Sequence, residues 1–353
     1  MANLPLLKFT PLLLEKPWGG NSLWAHLGKG SSQDQNMGEA WEISDRPEAF
    51  TVVSGGEYSG LSLANLWSRF GSTLLGEGLE TQRFPLLYKF ICAREKLSVQ
   101  VHPGSGSSLG EAKTECWYVV EADPGAALIV GITARDRTRS EILECLKSSQ
   151  CEEVLRRWPA QRGDVFFIPA GTVHAITEGL LLYEVQQNSD TTFRLYDWGR
   201  RDAQGRSRTL HLEEAVAVAD TEEREGFKIP PLTVDRGAYL ESFRVVSPYF
   251  ALVQWSRFSQ ATSLQTQGRF RVVTVVSGSV SLQSETIRVQ LSLGETALVP
   301  ACLTSVLIEA TPDAELLISY VPRIEEEIRE PLRKAGFSAL EIGKLFGPEG
   351  IRV

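Results

Sequence analysis

Residues 163–176 read GDVFFIPAGTVHAI. Gly163 and Asp164 open a run of large apolar residues, Val165 to Ile168, and a Pro-Ala-Gly turn closes it. A short run rich in β-branched and aromatic residues between turn-formers reads as a buried strand. His174 follows the turn, and it is one of only 4 histidines in 353 residues. A histidine delivered from a buried strand and a tight turn is either a hydrogen-bonded core residue or a ligand. Alone, the first reading is the commoner one.

The stretches around it have the same character. RFPLLYKFICA (83–93), LSVQVHP (97–103), CWYVVEA (116–122), AALIVGI (126–132) and LLLYEVQQ (180–187) all read as short strands bounded by Gly, Pro or Asp. Many short strands with turn signals imply a sandwich or barrel. Helical spacing interrupts them. LSLANLWSRF (61–70) sets Leu63, Leu66, Trp67 and Phe70 on one face, and 139–158 reads as a helix pair inserted between strands. HLEEAVAVAD (211–220) is a further helical piece. RIEEEIREPLRKAG (323–336) has acids early and bases late, as the helix dipole favours, with Pro331 kinking or breaking it.

The chain also repeats itself. GDVFFIPAGTVH (163–174) is matched by GETALVPACLTS (294–305), with Ser305 where the histidine would fall. Before the second copy, Val280 and Leu282, then Ile287, Val289 and Leu291, alternate with period two, the mark of strands with one buried face. The expected fold is mainly β with helical insertions: two related barrels, the first with polar ligand-type residues and the second without them.

Bulk properties narrow the function. The hydrophobic content of 42% and charged content of 23% are those of an ordinary globular chain. A formal net charge of -8 argues against a large nucleic-acid-binding face, and an anionic substrate would need a local basic pocket. The 5 cysteines, Cys92, Cys116, Cys145, Cys151 and Cys302, form an odd set without a C-x-x-C pair, which points to a reducing compartment. Neither a signal peptide nor a membrane span is read, so the expected setting is the cytoplasm.

Four residues of the first half form a candidate metal set. Gln100 and His102 stand two apart on a strand and so share a face. Glu115 and His174 come from other strands. Two imidazole nitrogens, a carboxylate and an amide oxygen suit Zn²⁺ or another borderline divalent ion with a position open to water or substrate. His26 and His211 lack comparable partners and read as structural or surface residues.

These same stretches carry a resemblance. The G(x5)PxG(x2)H run at 163–174 resembles the second cupin motif, and Gln100-x-His102 followed by Glu115 resembles the first, with Gln in place of the usual leading His. In combination, FPLLYKFICAREKLSVQVHP, KTECWYVV, GDVFFIPAGTVHAI, YEVQQNSDTTFRLYDWGR, KPWGG and GEAWEISDR resemble type I mannose-6-phosphate isomerase in its short bacterial form, over roughly residues 5 to 322. The resemblance implies two cupin-type jelly-roll barrels, the first metal-binding and the second degenerate. It implies a catalytic domain over 1–235 with helical insertions at about 60–76 and 137–158. A degenerate cupin domain over 236–322 would follow; the helical extension expected over 323–353 has no place in the family pattern.

By the same resemblance, one zinc per chain is held by Gln100, His102, Glu115 and His174, and mannose 6-phosphate and fructose 6-phosphate interconvert through an enediol. That reaction needs a base at carbon, an acid at oxygen, and positive charge where an enediolate develops. The resemblance places a catalytic arginine at Arg194, pocket positions at Lys113 and Glu184, and contacts to the phosphate end of the sugar at Lys89 and Ser98. Lys113 would serve as a proton-transfer group if a nearby cation lowered its pKa, and Glu184 as base or orienter. Gly104 and Ser105 stand where many relatives carry two acids, which would loosen the loop beside the metal. A phosphosugar is the expected partner, with neither nucleic acid nor membrane, in a monomer or weak homodimer. Two rivals remain at this stage: another metal-dependent cupin enzyme, an oxygenase or epimerase, and a non-catalytic sugar-binding regulator.

Overall fold

The computed structural model describes residues 4–79, 83–134, 136–148, 150–202 and 204–352. The chain builds the same two-sheet unit twice. In the first unit one sheet runs, in hydrogen-bonded order, Val165–Ile168, Glu115–Ala122, Leu180–Gln187, Leu86–Ala93, Met37–Ile43 and Leu12–Gly20. The facing sheet runs Leu155–Pro159, Ala127–Ile132, His174–Ile176, Val99–Val101 and Phe193–Tyr196. In the second unit the order Thr296–Val299, Arg271–Ser277, Glu315–Tyr320, Ala251–Ser256, Leu240–Val246 and Leu232–Asp235 faces Arg288–Ser292, Ser279–Gln283, Ser305–Ala310 and Thr262–Gln265. The two orders correspond strand for strand except that Phe193–Tyr196 has no counterpart in the second unit, so the sequence repeat is a repeat of topology: a double-sheet jelly roll in each half.

Alternation explains which side chains meet. In the first unit Trp117, Val119, Ile91, Phe166 and Leu182 of one sheet pack against Leu128, Val130 and Ile176 of the other. The opposite face of the first sheet carries Tyr88, Phe90, Tyr118, Tyr183 and Val185, which join the core of the second unit. Tyr183 Oη lies 2.8 Å from Thr274 Oγ1, and Ser319 Oγ donates to Tyr88 Oη at 2.8 Å. The two halves are therefore joined back to back through one continuous buried layer.

Helices cover what the sheets leave open. Leu63–Phe70 and Ser72–Leu75 form where helical spacing placed them. Their end docks on the second unit, where Leu75 O and Leu74 O accept Phe270 N–H and Ala301 N–H. Arg139–Leu146 starts at a Thr138–Glu141 capping box and packs Ile142 and Leu146 on the outer face of the five-stranded sheet. Leu212–Val218 covers another part of that face through Ala215.

The helix pair expected over 139–158 is corrected here. After Arg139–Leu146 comes a short 3-10 turn, Cys151–Val154, and then the strand Leu155–Pro159. Ser149 lies outside the described residues. Leu155 and Trp158 stand three apart, as on a helix face. The free edge of Ala127–Ile132 offers a full ladder instead, and pairing of Leu128 with Trp158 wins over local spacing.

Sheet pairing runs across the expected division at 235. Leu7–Thr10 pairs with Thr296–Val299, and Val52–Val53 pairs with Leu7–Thr10, so both extend the sheet of the second half. Leu232–Asp235 belongs to that sheet as well. The C-terminal stretch turns through Ile324–Arg329 and Glu330–Lys334, with Pro331 in the first turn of the latter, then Ala339–Lys344. Ile328, Leu332, Ile342 and Leu345 join the shared core, and Leu345 O accepts Val246 N–H. Cys92, Cys116, Cys145, Cys151 and Cys302 are free thiols. Among the described residues, no helix is long and apolar enough to cross a membrane.

Candidate metal centre

The Pro-Ala-Gly turn sets the position of His174. Gly171 adopts φ +86°, which favours glycine, and a Cβ there would also crowd Val218 O at 3.1 Å. Its N–H donates to His102 O and its carbonyl accepts Asp220 N–H. His174 then opens its strand directly opposite Gln100, and Arg194 faces Gln100 from the other side. Directly paired residues share a face, so three of the expected site residues project together by register alone. Glu115 opens the strand of the facing sheet.

Among the described residues, His102, Glu115 and His174 form a buried group whose ligand atoms all lie within 4.8 Å of one another. His102 Nε2 is 3.6 Å from Glu115 Oε2, and His174 Nε2 is 3.4 Å from Glu115 Oε1. Each ring is held by its other nitrogen: Nδ1–H of His102 donates to Thr191 O and that of His174 to Thr172 O, both at 2.8 Å. A carbonyl can only accept, so these contacts fix the tautomer that turns an Nε2 lone pair into the centre. Burial keeps both rings neutral. It pushes His102 well below the ordinary imidazole range, with the Lys113 charge adding to the effect, and takes His174 down to about 4.

The chemistry of this group can accommodate a cation. Both oxygens of Glu115 are buried without an aligned hydrogen-bond donor. The Lys113 ammonium sits between the ligands, 2.7 Å from Glu115 Oε2, out of line for a hydrogen bond, and 3.2 Å from His102 Nε2. Gln100 presents its amide nitrogen to His174 Nε2 at 3.2 Å, and a half-turn of that amide brings its carbonyl oxygen to the same place. A positive group is thus already drawn to the spot where two imidazoles, one carboxylate and one amide converge. That donor set can hold a divalent metal ion.

A cavity of about 350 Å³ adjoins this centre through Gln100 and Lys113, while His102, Glu115 and His174 are not part of its lining. Lys89, Ser98, Gln100, Lys113, Glu184 and Arg194, all expected from the sequence, line it. Glu184 accepts Trp117 Nε1–H at 2.8 Å through Oε2, while Oε1 has no hydrogen bond and lies 3.6 Å from Lys89 Nζ. Burial raises the Glu184 pKa, the Glu115 charge adds to the rise, and Lys113 and Lys89 only partly offset it. Burial works against the Lys113 ammonium, but the carboxylates of Glu115 and Glu184 outweigh it and hold that pKa above the ordinary value. Arg194 donates from Nε to Ser98 Oγ at 3.3 Å and from Nη1 to Thr209 O at 2.8 Å.

Sequence reasoning missed part of the lining. Lys16, Trp18, Glu39 and Arg208 also face this cavity. Glu39 accepts Trp41 Nε1–H at 2.8 Å and lies 3.4 Å from Lys16 Nζ. Burial alone would raise its pKa, but Lys89, Lys16 and the indole N–H together bring it below its ordinary value. Lys89 Nζ stands 4.6 Å from the Trp41 ring, a cation–π contact. KPWGG and GEAWEISDR were the available signals, since Lys16 and Trp18, like Glu39 and Trp41, alternate on strands. Asp197, Trp198 and Arg200 tie the turn after Phe193–Tyr196, and Asp197 also holds Arg208 by a two-pronged ion pair. His26 is exposed, and His211 takes the Arg194 N–H on Nδ1 at 3.3 Å.

Comparison with known proteins agrees with this geometry. Residues 6–134 match the type I phosphomannose isomerase catalytic domain, and 240–321 match the mannose-6-phosphate isomerase cupin domain. The chain is 35% identical over 332 residues to mannose-6-phosphate isomerase ManA of Bacillus subtilis, covering 91% of this chain and 100% of that one. It is 33% identical over 319 residues to the mannose-6-phosphate isomerase of Streptococcus mutans, covering 88% and 98%. The crystal structure of the mannose 6-phosphate isomerase from Bacillus subtilis superposes with a TM-score of 0.81 at 32% identity, over 90% of this chain and 100% of that one. The apo enzyme from Salmonella typhimurium, at 19% identity and a TM-score of 0.72 over 91% and 99%, shares the fold. With relatives this similar spanning nearly the whole chain, and a His–Glu–His centre where the cupin motifs fall, the chain belongs to the type I phosphomannose isomerase family.

Proposed function

We propose that this protein is a zinc-dependent mannose-6-phosphate isomerase, interconverting mannose 6-phosphate and fructose 6-phosphate. One observation carries the reading: the lone pairs of His102 and His174 and the carboxylate of Glu115 converge next to a basic cavity, which Gln100 and Lys113 line, in a member of this family. Gln100, His102, Glu115 and His174 would hold the ion, whose chemistry when bound is Lewis-acid polarisation of the sugar oxygens.

The chain's own residues supply the rest. Glu184, with a raised pKa and an unbonded Oε1, is assigned as the group that takes the proton from C2 of the open-chain aldose and returns one to C1. The carbonyl oxygen at C1 gains a proton and the hydroxyl at C2 loses one, so no redox cofactor enters the balance. Lys113, kept as an ammonium beside Glu115, is assigned to donate toward those oxygens. Arg194 is assigned to steady the negative charge that develops on the enediolate, its guanidinium oriented by Ser98 and Thr209. Lys89 and Ser98 are assigned to the phosphate end of the sugar, in a cavity whose lining also holds Lys16 and Arg208.

The test is turnover of mannose 6-phosphate before chelation, after chelation, and after zinc is restored, read by a coupled assay for fructose 6-phosphate. Loss on chelation and recovery with zinc is the expected result. Undiminished turnover in the chelated protein would refute the metal's part, and no turnover in any arm would refute the isomerase reading.

A further inference from the structure

Register equivalence locates the counterpart of the metal centre in the second half. His174 opposite Gln100 corresponds to Ser305 opposite Gln265, and Glu115 opposite Ile168 corresponds to Arg271 opposite Val299. Gln267 stands two beyond Gln265, as His102 stands two beyond Gln100. The loop that carries Lys113 in the first half is cut short in the second, where Arg271–Ser277 starts soon after Thr262–Gln265 ends. In place of a carboxylate awaiting a cation, the second half has a permanent cation. Arg271 is 3% exposed, and its guanidinium stacks 3.9 Å from the Tyr320 ring centroid. Its partner is Glu327 of the C-terminal stretch, 6% exposed, reached from Nη2 at 2.5 Å.

A cleft of about 200 Å³ persists at this place. Buried Arg271, Glu327, Tyr320 and Trp255 line it together with Tyr239, whose ring lies 4.1 Å from that of Trp255, and with the exposed Gln265 and Gln267. Arg236 grips Glu241 through Nε and Nη2, and Glu241 takes Trp255 Nε1–H at 3.1 Å. Every charge in this lining is therefore paired within it. The first cavity differs, since Lys16, Lys89, Lys113, Arg194 and Arg208 outnumber Glu39, Glu184 and Asp190.

We propose that the second barrel retains a ligand site, at the counterpart of the metal centre, for an uncharged sugar or polyol. A phosphate there would have no free cation to meet, and bringing one in would break a buried ion pair. A neutral polyhydroxyl compound fits the remaining chemistry. Aromatic rings take its C–H face, and paired guanidinium, carboxylate and amide groups give alternating donors and acceptors for its hydroxyls. Barrel mouths are common places for such sites. The site is distinct from the isomerase centre and does not depend on its activity.

The experiment uses full-length, zinc-loaded protein with saturating fructose 6-phosphate, so that the first cavity is filled. D-mannose and D-fructose are the probes, followed by saturation-transfer NMR and titration calorimetry. A neutral hexose is expected to bind under these conditions. Gln265→Trp, which fills the mouth from an exposed position, should weaken that binding at least tenfold while mannose 6-phosphate turnover is unchanged. Tyr239→Ala, which removes the aromatic wall, should do the same and serves if the first variant folds poorly. The proposal is overturned by wild type that binds no neutral hexose, by binding that fructose 6-phosphate abolishes, or by binding that both variants keep.

Discussion

Chelated protein moved from about pH 7.5 to about pH 5 is expected to lose stability through His174 and His102. Both are buried and neutral, and His174 is depressed from an ordinary 6.5 to about 4. Between those two values the unfolded chain binds a proton that the folded chain refuses, so stability rises with pH across the window. The contribution is present in full above 6.5 and is lost as pH falls toward 4. For His174 the loss down to pH 5 works out at about 2 kcal/mol, and His102, also depressed by burial, acts in the same direction. The His174 share alone, about 2 kcal/mol, lowers the melting temperature by roughly 3–5 °C in a chain of this size. Other carboxyls titrate in the same range, so the reading is a difference: thermal unfolding of the chelated wild type against chelated His174→Gln. The variant is less stable throughout, but its decline from pH 7.5 to 5 should be smaller by about 2 kcal/mol. Equal declines in the two proteins would refute the claim that Nδ1–H on Thr172 and burial together keep this imidazole neutral.

Three further outcomes follow from named contacts. Glu115→Gln removes the carboxylate between the two histidines, and metal affinity measured by competition with a chromogenic chelator should fall more than about 100-fold; retention within threefold would deny Glu115 a place among the ligands. Arg194→Lys loses the fork that reaches Ser98 and Thr209 at once, so kcat should drop by about 10²–10³ with KM little changed, and a KM effect alone would assign the residue to binding only. Glu327→Gln leaves the Arg271 guanidinium buried without its counter-charge, which costs about 3–5 kcal/mol in urea unfolding, whereas Arg271→Met with Glu327→Leu restores most of it; a loss under about 1 kcal/mol for the single change would contradict the pairing.

The metal set was legible because its signals are local. Val165–Ile168 forms from its own side chains, Gly171 from the turn it must make, and Gln100 and His102 share a face by period two. Helices at Leu63–Phe70 and Leu212–Val218 likewise appear where their spacing put them. Leu155–Pro159 did not, because Leu155 and Trp158 satisfy helical spacing and only the open edge of a strand 23 or more residues earlier in the chain settles the matter.

Neighbouring residues in the chain thus determined the strands, the turn that presents His174, the repeat and the choice of candidate ligands. Folding alone decided that Leu7–Thr10 would extend the sheet of the far half, and that Lys16, Glu39 and Arg208 would face the cavity. It also brought Glu327 from the C-terminal stretch onto Arg271, at the place where the first half gathers its ligands. The difference is one of range. Propensity, turn chemistry and face alternation act over a few residues, whereas sheet-edge pairing and charge burial are settled between segments that meet only when the core closes.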